Sequence, residues 1–159
     1  MINQVALGPQ QNPNVRFAKN KTTIYFYFTL LVVAKLLLGL TTLSTTNQWI
    51  VLHIGHSIAT LIYFHLIQGS PFGDQDDIVA GNKSWYEQLI DSGYTLPLRV
   101  VCLTPVILFM IVVSYVDIRS YKFLVSLGFF LLIILPKLGI LYGVRFLGFI
   151  TFAGFKEFK

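Results

Sequence analysis

Charge is what this chain has least of. Only 12% of its 159 residues are charged, about half the share of a soluble domain, while 55% are hydrophobic and the mean hydropathy is +0.68. So little charge cannot solvate a globular surface. The class is integral membrane, and the length suffices for one compact bundle of spans. Cysteine is nearly absent: Cys102 stands alone, which excludes an internal disulfide and a thiolate zinc site. The apolar runs contain no carboxylate, hence no acid–base pair, no Ser/His/Asp arrangement and no cofactor loop. No Arg/Lys-dense run or stacking motif serves nucleic acid, and the net charge of +5 bears on topology instead. No catalytic residue, metal site or cofactor is expected.

What the chain has is hydrocarbon in four blocks, at 22–43, 49–68, 98–116 and 121–142, each close to the ~20 residues that cross a bilayer. The expected fold is an all-α membrane protein, a four-transmembrane-helix bundle. A short polar N-terminal arm, 1–21, precedes the membrane domain of 22–142, and an interfacial tail, 143–159, follows it. Arg16, Lys19 and Lys21 precede the first block as in a signal peptide, but the block is too long for a signal core and no small-residue cleavage pattern closes it. The uncharged turn Ser44 to Gln48 sends the second span back antiparallel.

Several residues inside the blocks carry expectations of their own. Lys35, in mid-span, should face the bundle interior, water or a partner, or snorkel. Gly55 and Ala59 form a small-xxx-small pair that lets another helix approach closely. His53 and His56 share a helix face, whereas His65, nine residues beyond His56, lies half a circuit away and cannot complete a metal site with them. Neutral histidines bonded between helices are the expectation. Pro105 predicts a kink that frees the carbonyl of Val101. Pro136 interrupts the fourth block and places Lys137 near the bilayer edge or at a subunit contact.

The loop 69–97 is long and acidic, but it is no calcium loop: Val79 stands where Gly is needed and Trp85 where Glu is needed. Ser84 and Glu87 have capping-box spacing, which predicts a short helix from Trp85 to Asp91 closing near Gly93. Its apolar residues, Trp85, Tyr86, Leu89 and Ile90, suit the membrane interface or a partner. With four spans, both termini and this loop share one side, which holds Arg16, Lys19, Lys21, Lys83, Arg99, Arg145, Lys156 and Lys159. The other side holds only Arg119 and Lys122. The positive-inside rule then puts the termini in the cytosol.

The arm is different in kind. It is rich in Asn and Gln and carries no charged side chain before Arg16, a composition that reads as a solvated tail. Pro13 stiffens its end, and Asn14 offers an amide that both donates and accepts.

Taken in order, several blocks resemble the ORMDL (orosomucoid-like, or Orm) family of endoplasmic-reticulum membrane proteins. They are Asn12-Pro13-Asn14 with Arg16; Trp49, His56 and His65 with Gly69-Ser70-Pro71-Phe72; Trp85 with Glu87-Gln88; Thr104-Pro105; and Pro136-Lys137-Leu138 leading to Gly143-Val144-Arg145 and Gly148. The resemblance implies a ceramide-responsive negative regulator of serine palmitoyltransferase, the enzyme that commits serine and palmitoyl-CoA to sphingolipid synthesis. The implied partners are the subunits of that enzyme, with ceramide as regulatory lipid. Asn12, Pro13 and Asn14 would form the regulatory arm, with Asn14 contacting ceramide and Tyr63 lining the lipid side of the site. The chain departs from the family in its first eleven residues and in its longer, more aromatic tail. No Ser or Thr precedes Thr22, so the N-terminal phosphorylation that relieves inhibition in fungal Orm proteins has no acceptor here. The rival to this reading is a small membrane carrier or channel forming homo-oligomers, with Lys35, Lys137 and the histidines lining its path.

Overall fold

The computed structural model describes residues 13–68, 83–91, 93 and 95–138. Asn12, the loop residues 69–82 and the tail 143–159 lie outside the described residues. Those described are helical apart from short connections, and one isolated antiparallel bridge joins Gln68 to Ser84. Six helices follow in order: α1 Pro13–Lys19, α2 Lys21–Gly39, α3 Thr45–Leu61, α4 Trp85–Asp91, α5 Thr95–Tyr115 and α6 Tyr121–Ile134. A π turn, Ile62–Leu66, extends α3, and a 3-10 turn, Leu135–Lys137, extends α6.

Small polar side chains set the boundaries by bonding amides that a helix leaves unpaired. Asn20 Oδ1 accepts from the Thr22 amide at 3.0 Å, and Ser120 Oγ from that of Lys122 at 3.0 Å. Ser44 Oγ takes the Asn47 amide at the start of α3. The predicted capping box is present before α4: Ser84 N donates to Glu87 Oε2 at 2.7 Å, and Glu87 N to Ser84 Oγ at 3.3 Å. Gly93, at φ +69°, closes this helix as expected, a conformation glycine adopts without strain.

Two prolines act differently from one another. Pro136 ends the α-helical part of the segment from Tyr121 to Lys137, as its missing N–H dictates. Helix α5 runs unbroken through Pro105, which is fully buried, and beside it Thr104 Oγ1 donates to the Val100 carbonyl at 2.8 Å. The first helix begins at Pro13, whose fixed φ suits a first helical position. The end of the arm is therefore a helix packed on the bundle, with Val15 and Ala18 buried, and not a solvated tail.

Helices α3, α5 and α6 make the tight core, in which His53, Val112, Ser126 and Ile133 are wholly inaccessible. Helix α2 stands apart, with no buried residue, and packs on α3 and α1. Lys35 resolves its alternatives within the chain: Nζ donates to Gln48 Oε1 at 2.7 Å and lies 5.0 Å above the Trp49 ring. At the same end, Lys122 Nζ donates to Asn47 Oδ1 at 2.9 Å, tying α6 to α3.

The outer faces are apolar. Leu40 is 84% exposed, Tyr25 69% and Leu124 64%, and faces of this kind meet hydrocarbon or a partner rather than water. Among the described residues, two helical segments, Lys21–Gly39 and Thr45–Leu66, are long and apolar enough to cross a membrane, and Arg99–Tyr115 is a shorter apolar stretch.

Candidate functional site

Helices α2 and α3 are held together at one end by the Lys35–Gln48 bond and at mid-length by Tyr27 Oη and His56 Nε2, which share a hydrogen bond at 2.5 Å. Between these ties and the start of α5 lies an apolar groove of about 850 Å³. Its walls run along α2 from Thr23 to Thr41 and along α3 from Val51 into the π turn, and its lining includes no charged residue. Among its polar groups, Tyr27 bonds His56 and Thr60 Oγ1 donates to the His56 carbonyl at 2.7 Å, while His56 Nδ1 is buried without a partner.

The Gly55–Ala59 pair belongs to this groove. No helix of the described chain seats against it, because a methyl placed on Gly55 meets nothing within 4 Å. Among the described residues, open space stands where the close helix contact was expected.

An aromatic cluster builds that end. The Trp85 ring stacks on Phe64 with centroids 5.0 Å apart, meets Tyr63 edge-on at 4.5 Å and lies 6.0 Å from Phe17. Helix α4 thus turns Trp85, Tyr86 and Leu89 into the bundle, correcting the expectation that they face the interface or a partner. Tyr63, expected at the lipid side of a site, does line the groove. Asn14 lies in α1, one helical turn before Phe17 and Ala18, which line the groove's end. Pro13 opens the same helix. The fold therefore brings Tyr63 and the helix that carries Asn14 to one place. Phe17, Phe64 and Trp85 were not singled out as site residues. For Trp85 the sequence signal is the apolar face of α4, which does not say what that face covers.

The histidines separate into two groups. His53 Nε2 donates to the Ser126 carbonyl at 3.1 Å, and His56 bonds Tyr27, so both act between helices as expected. Residues 62–66 do not continue the α-helical phase, and His65 comes to lie against the Tyr86 ring at 4.9 Å. Tyr86 Oη donates to the Lys137 carbonyl at 2.9 Å and touches Cys102 Sγ at 3.4 Å. Burial, and then the contact with Cys102, push the Tyr86 phenol well above its ordinary range, so it remains a donor throughout the physiological range. Lys137 is 6% exposed, within electrostatic reach of His56 and His65. Its side chain lies inside the fold and is not presented for a subunit contact. Among the described residues no group of three His, Cys, Asp or Glu is placed to hold a metal.

The described residues are helical, with two apolar helices of membrane length beside an uncharged groove, an arrangement of the membrane-protein class. The ORMDL family model matches residues 12–145, and the chain belongs to the ORMDL family. Among its relatives, ORM1-like protein 2 of Homo sapiens is 28% identical over 141 residues, covering 86% of this chain and 91% of the relative. ORM1-like protein 1 of Danio rerio is 28% identical over the same coverage, and ORM1-like protein 3 of Mus musculus 26%.

Proposed function

We propose that this chain is a ceramide-responsive negative regulator of serine palmitoyltransferase, restraining sphingolipid synthesis from the endoplasmic-reticulum membrane. The observation that carries this reading is the family match across residues 12–145, which takes in Asn14, the π turn with Tyr63 and the end of the last span. The groove supplies a physical means. Ceramide has two hydrocarbon chains and a small uncharged head bearing an amide and hydroxyls. The chains would lie in the apolar groove, and the head would meet Asn14 and Tyr63 at its aromatic end. Seating the lipid would fix α1 against the bundle and hold the preceding arm in the enzyme's substrate path. The chain itself performs no chemistry in this reading. Its effect is a shift in the enzyme's population of open and blocked states.

Four spans fit this role: α2, α3 with its π turn, α5, and α6 with its 3-10 turn. The basic residues favour cytosolic termini, with eight on that side and two on the other. Asn20-Lys21-Thr22 and Asn82-Lys83-Ser84 match the glycan acceptor pattern, and in this orientation both stay unmodified. A glycosidase-sensitive shift at either Asn would overturn the orientation.

The decisive measurement is serine palmitoyltransferase activity in membranes with and without this chain. The enzyme is expected to co-purify with the chain in mild detergent at a defined ratio, and added ceramide to lower its activity only when the chain is present. An enzyme that neither co-purifies nor changes its ceramide response would sink the proposal.

A further inference from the structure

The two ends of the bundle treat their cations differently. At the end where α2 turns into α3, Lys35 bonds Gln48 and Lys122 bonds Asn47. At the opposite end, Arg16 of α1, Lys21 of α2 and Arg99 of α5 are exposed, and none of their side chains makes a hydrogen bond or ion pair with a described residue. The described carboxylates of this end are engaged elsewhere: Asp91 pairs with Lys83, and Glu87 accepts the Ser84 amide. Three positive charges are left without a counter-charge among the described residues.

The corner between α1 and α2 fixes two of them. The Phe17 carbonyl accepts from the Asn20 amide at 3.2 Å and from Thr23 Oγ1 at 2.7 Å, so α1 ends and α2 begins within one tight turn. Packing brings in the start of α5. Ala18 and Val101 share one buried cluster, and Phe17, Thr23 and Pro97 line the same end of the groove. Arg99 lies between Pro97 and Val101 in the chain. The cations therefore come from three separate helices at one end of the molecule.

Their neighbours are apolar and also exposed: Phe17 follows Arg16, and Leu96 stands in the first turn of α5. Exposed Tyr25 follows Lys21 by four residues, on the same face of α2 and about 6 Å further along it. A cation with an aromatic ring one turn deeper is the pattern of a helix passing from headgroups into hydrocarbon. Helix α2 is of membrane length and Lys21 is its first residue, so this end stands at headgroup level when α2 spans the bilayer. An anionic lipid surface matches the charge and the apolar neighbours together.

We propose that the α1–α2 corner and the start of α5 form a docking surface for the headgroups of anionic phospholipid, held by Arg16, Lys21 and Arg99. The headgroups supply the missing counter-charge, while Phe17 and Leu96 enter the hydrocarbon beside them. Each basic residue at an anionic surface strengthens binding roughly five-fold, so three together give about a hundred-fold, less at high salt. Helix α1 is then held from two sides, by the Trp85 ring within the bundle and by lipid charge outside it. The inference adds a second lipid class to the reading above and depends on neither ceramide nor the enzyme.

The test compares the wild type with the triple variant Arg16→Gln, Lys21→Gln and Arg99→Gln. Arg119→Gln, which removes an exposed cation at the other end, is the control. Glutamine has nearly the helix preference of lysine and arginine, and all the sites are exposed, so the variants should fold. Each protein, in non-ionic detergent, is incubated with phosphatidylserine or with phosphatidylcholine of the same acyl chains. Retained lipid is counted by native mass spectrometry. The wild type is expected to retain phosphatidylserine at least ten-fold over phosphatidylcholine, and to lose that preference after a high-salt wash. The triple variant should hold the two lipids alike, and Arg119→Gln should match the wild type within two-fold. A wild type without the preference, or a triple variant that keeps it, overturns the proposal. If the wild type shows no preference and the triple variant instead loses co-purification with the enzyme, the cations serve a protein contact, and the lipid proposal is overturned in that way.

Discussion

Asn14→Ala is expected to abolish the ceramide response of the enzyme complex while leaving the complex assembled. A lipid amide brought out of water without a hydrogen-bond partner costs about 1–3 kcal/mol. A single side-chain amide that satisfies it thus shifts ceramide affinity by roughly ten-fold to a hundred-fold. Alanine is the best helix former, so α1 loses nothing in its backbone by the change. Its packing depends on Val15 and Ala18, which are buried and untouched. Asn14→Asp is expected to fail as well, because a carboxylate cannot donate and is costly to desolvate. The measurement is serine palmitoyltransferase activity in membranes against added ceramide. Equal midpoints for wild type and Asn14→Ala, with both complexes intact, would show that Asn14 does not read the lipid.

The second large effect belongs to Trp85. Its ring touches Phe17 of α1, Tyr63 and Phe64, and is 7% exposed. Truncating a buried aromatic of this size to alanine costs about 3–5 kcal/mol, through lost burial and the cavity left behind. The loss should be local first. Helix α1 has seven residues and is too short to persist without packing, so removing Trp85 is expected to release it from the bundle. In Trp85→Ala, trypsin should cut at Arg16 and Lys19 at least ten times faster than in the wild type, and the thermal midpoint in detergent should fall. Trp85→Phe should recover most of both. Unchanged cleavage would mean that α1 is held by contacts other than this ring.

The same comparison shows which features of a membrane chain are local. The capping box at Ser84 and Glu87, the closing Gly93 and the interruption at Pro136 all depend on groups a few residues apart, and each was legible before any packing was known; the expected turn 44–48 is shorter in the fold, since α3 begins at Thr45 with Ser44 as its cap. The apolar blocks were legible for a similar reason, since hydropathy is a property of the stretch itself. Side-chain destinations were not. Lys137 reads as an edge lysine in sequence and is buried beneath Tyr86 in the fold. The apolar residues of α4 are the same whether they face lipid or the bundle, and only the position of α1 and the π turn decides it. Asn14 and Tyr63 came from resemblance to a family, since neither periodicity nor spacing singles out either residue.

By itself the sequence determined that this is a helical chain for an apolar medium, where the short helix α4 starts and stops, and that its apolar blocks contain no carboxylate. Those properties follow from composition and from hydrogen bonds between near neighbours. Tertiary structure decided that α2 leans away from the core and leaves a groove, that Gly55 faces open space instead of a partner helix, and that α1 docks where the groove ends. The reason is that an apolar face specifies burial but not its partner: among hydrocarbon side chains every contact is favourable. Which surfaces meet is settled by the few directional ties, such as Lys35 to Gln48, Tyr27 to His56 and Tyr86 to the Lys137 carbonyl, whose partners are far apart in the chain.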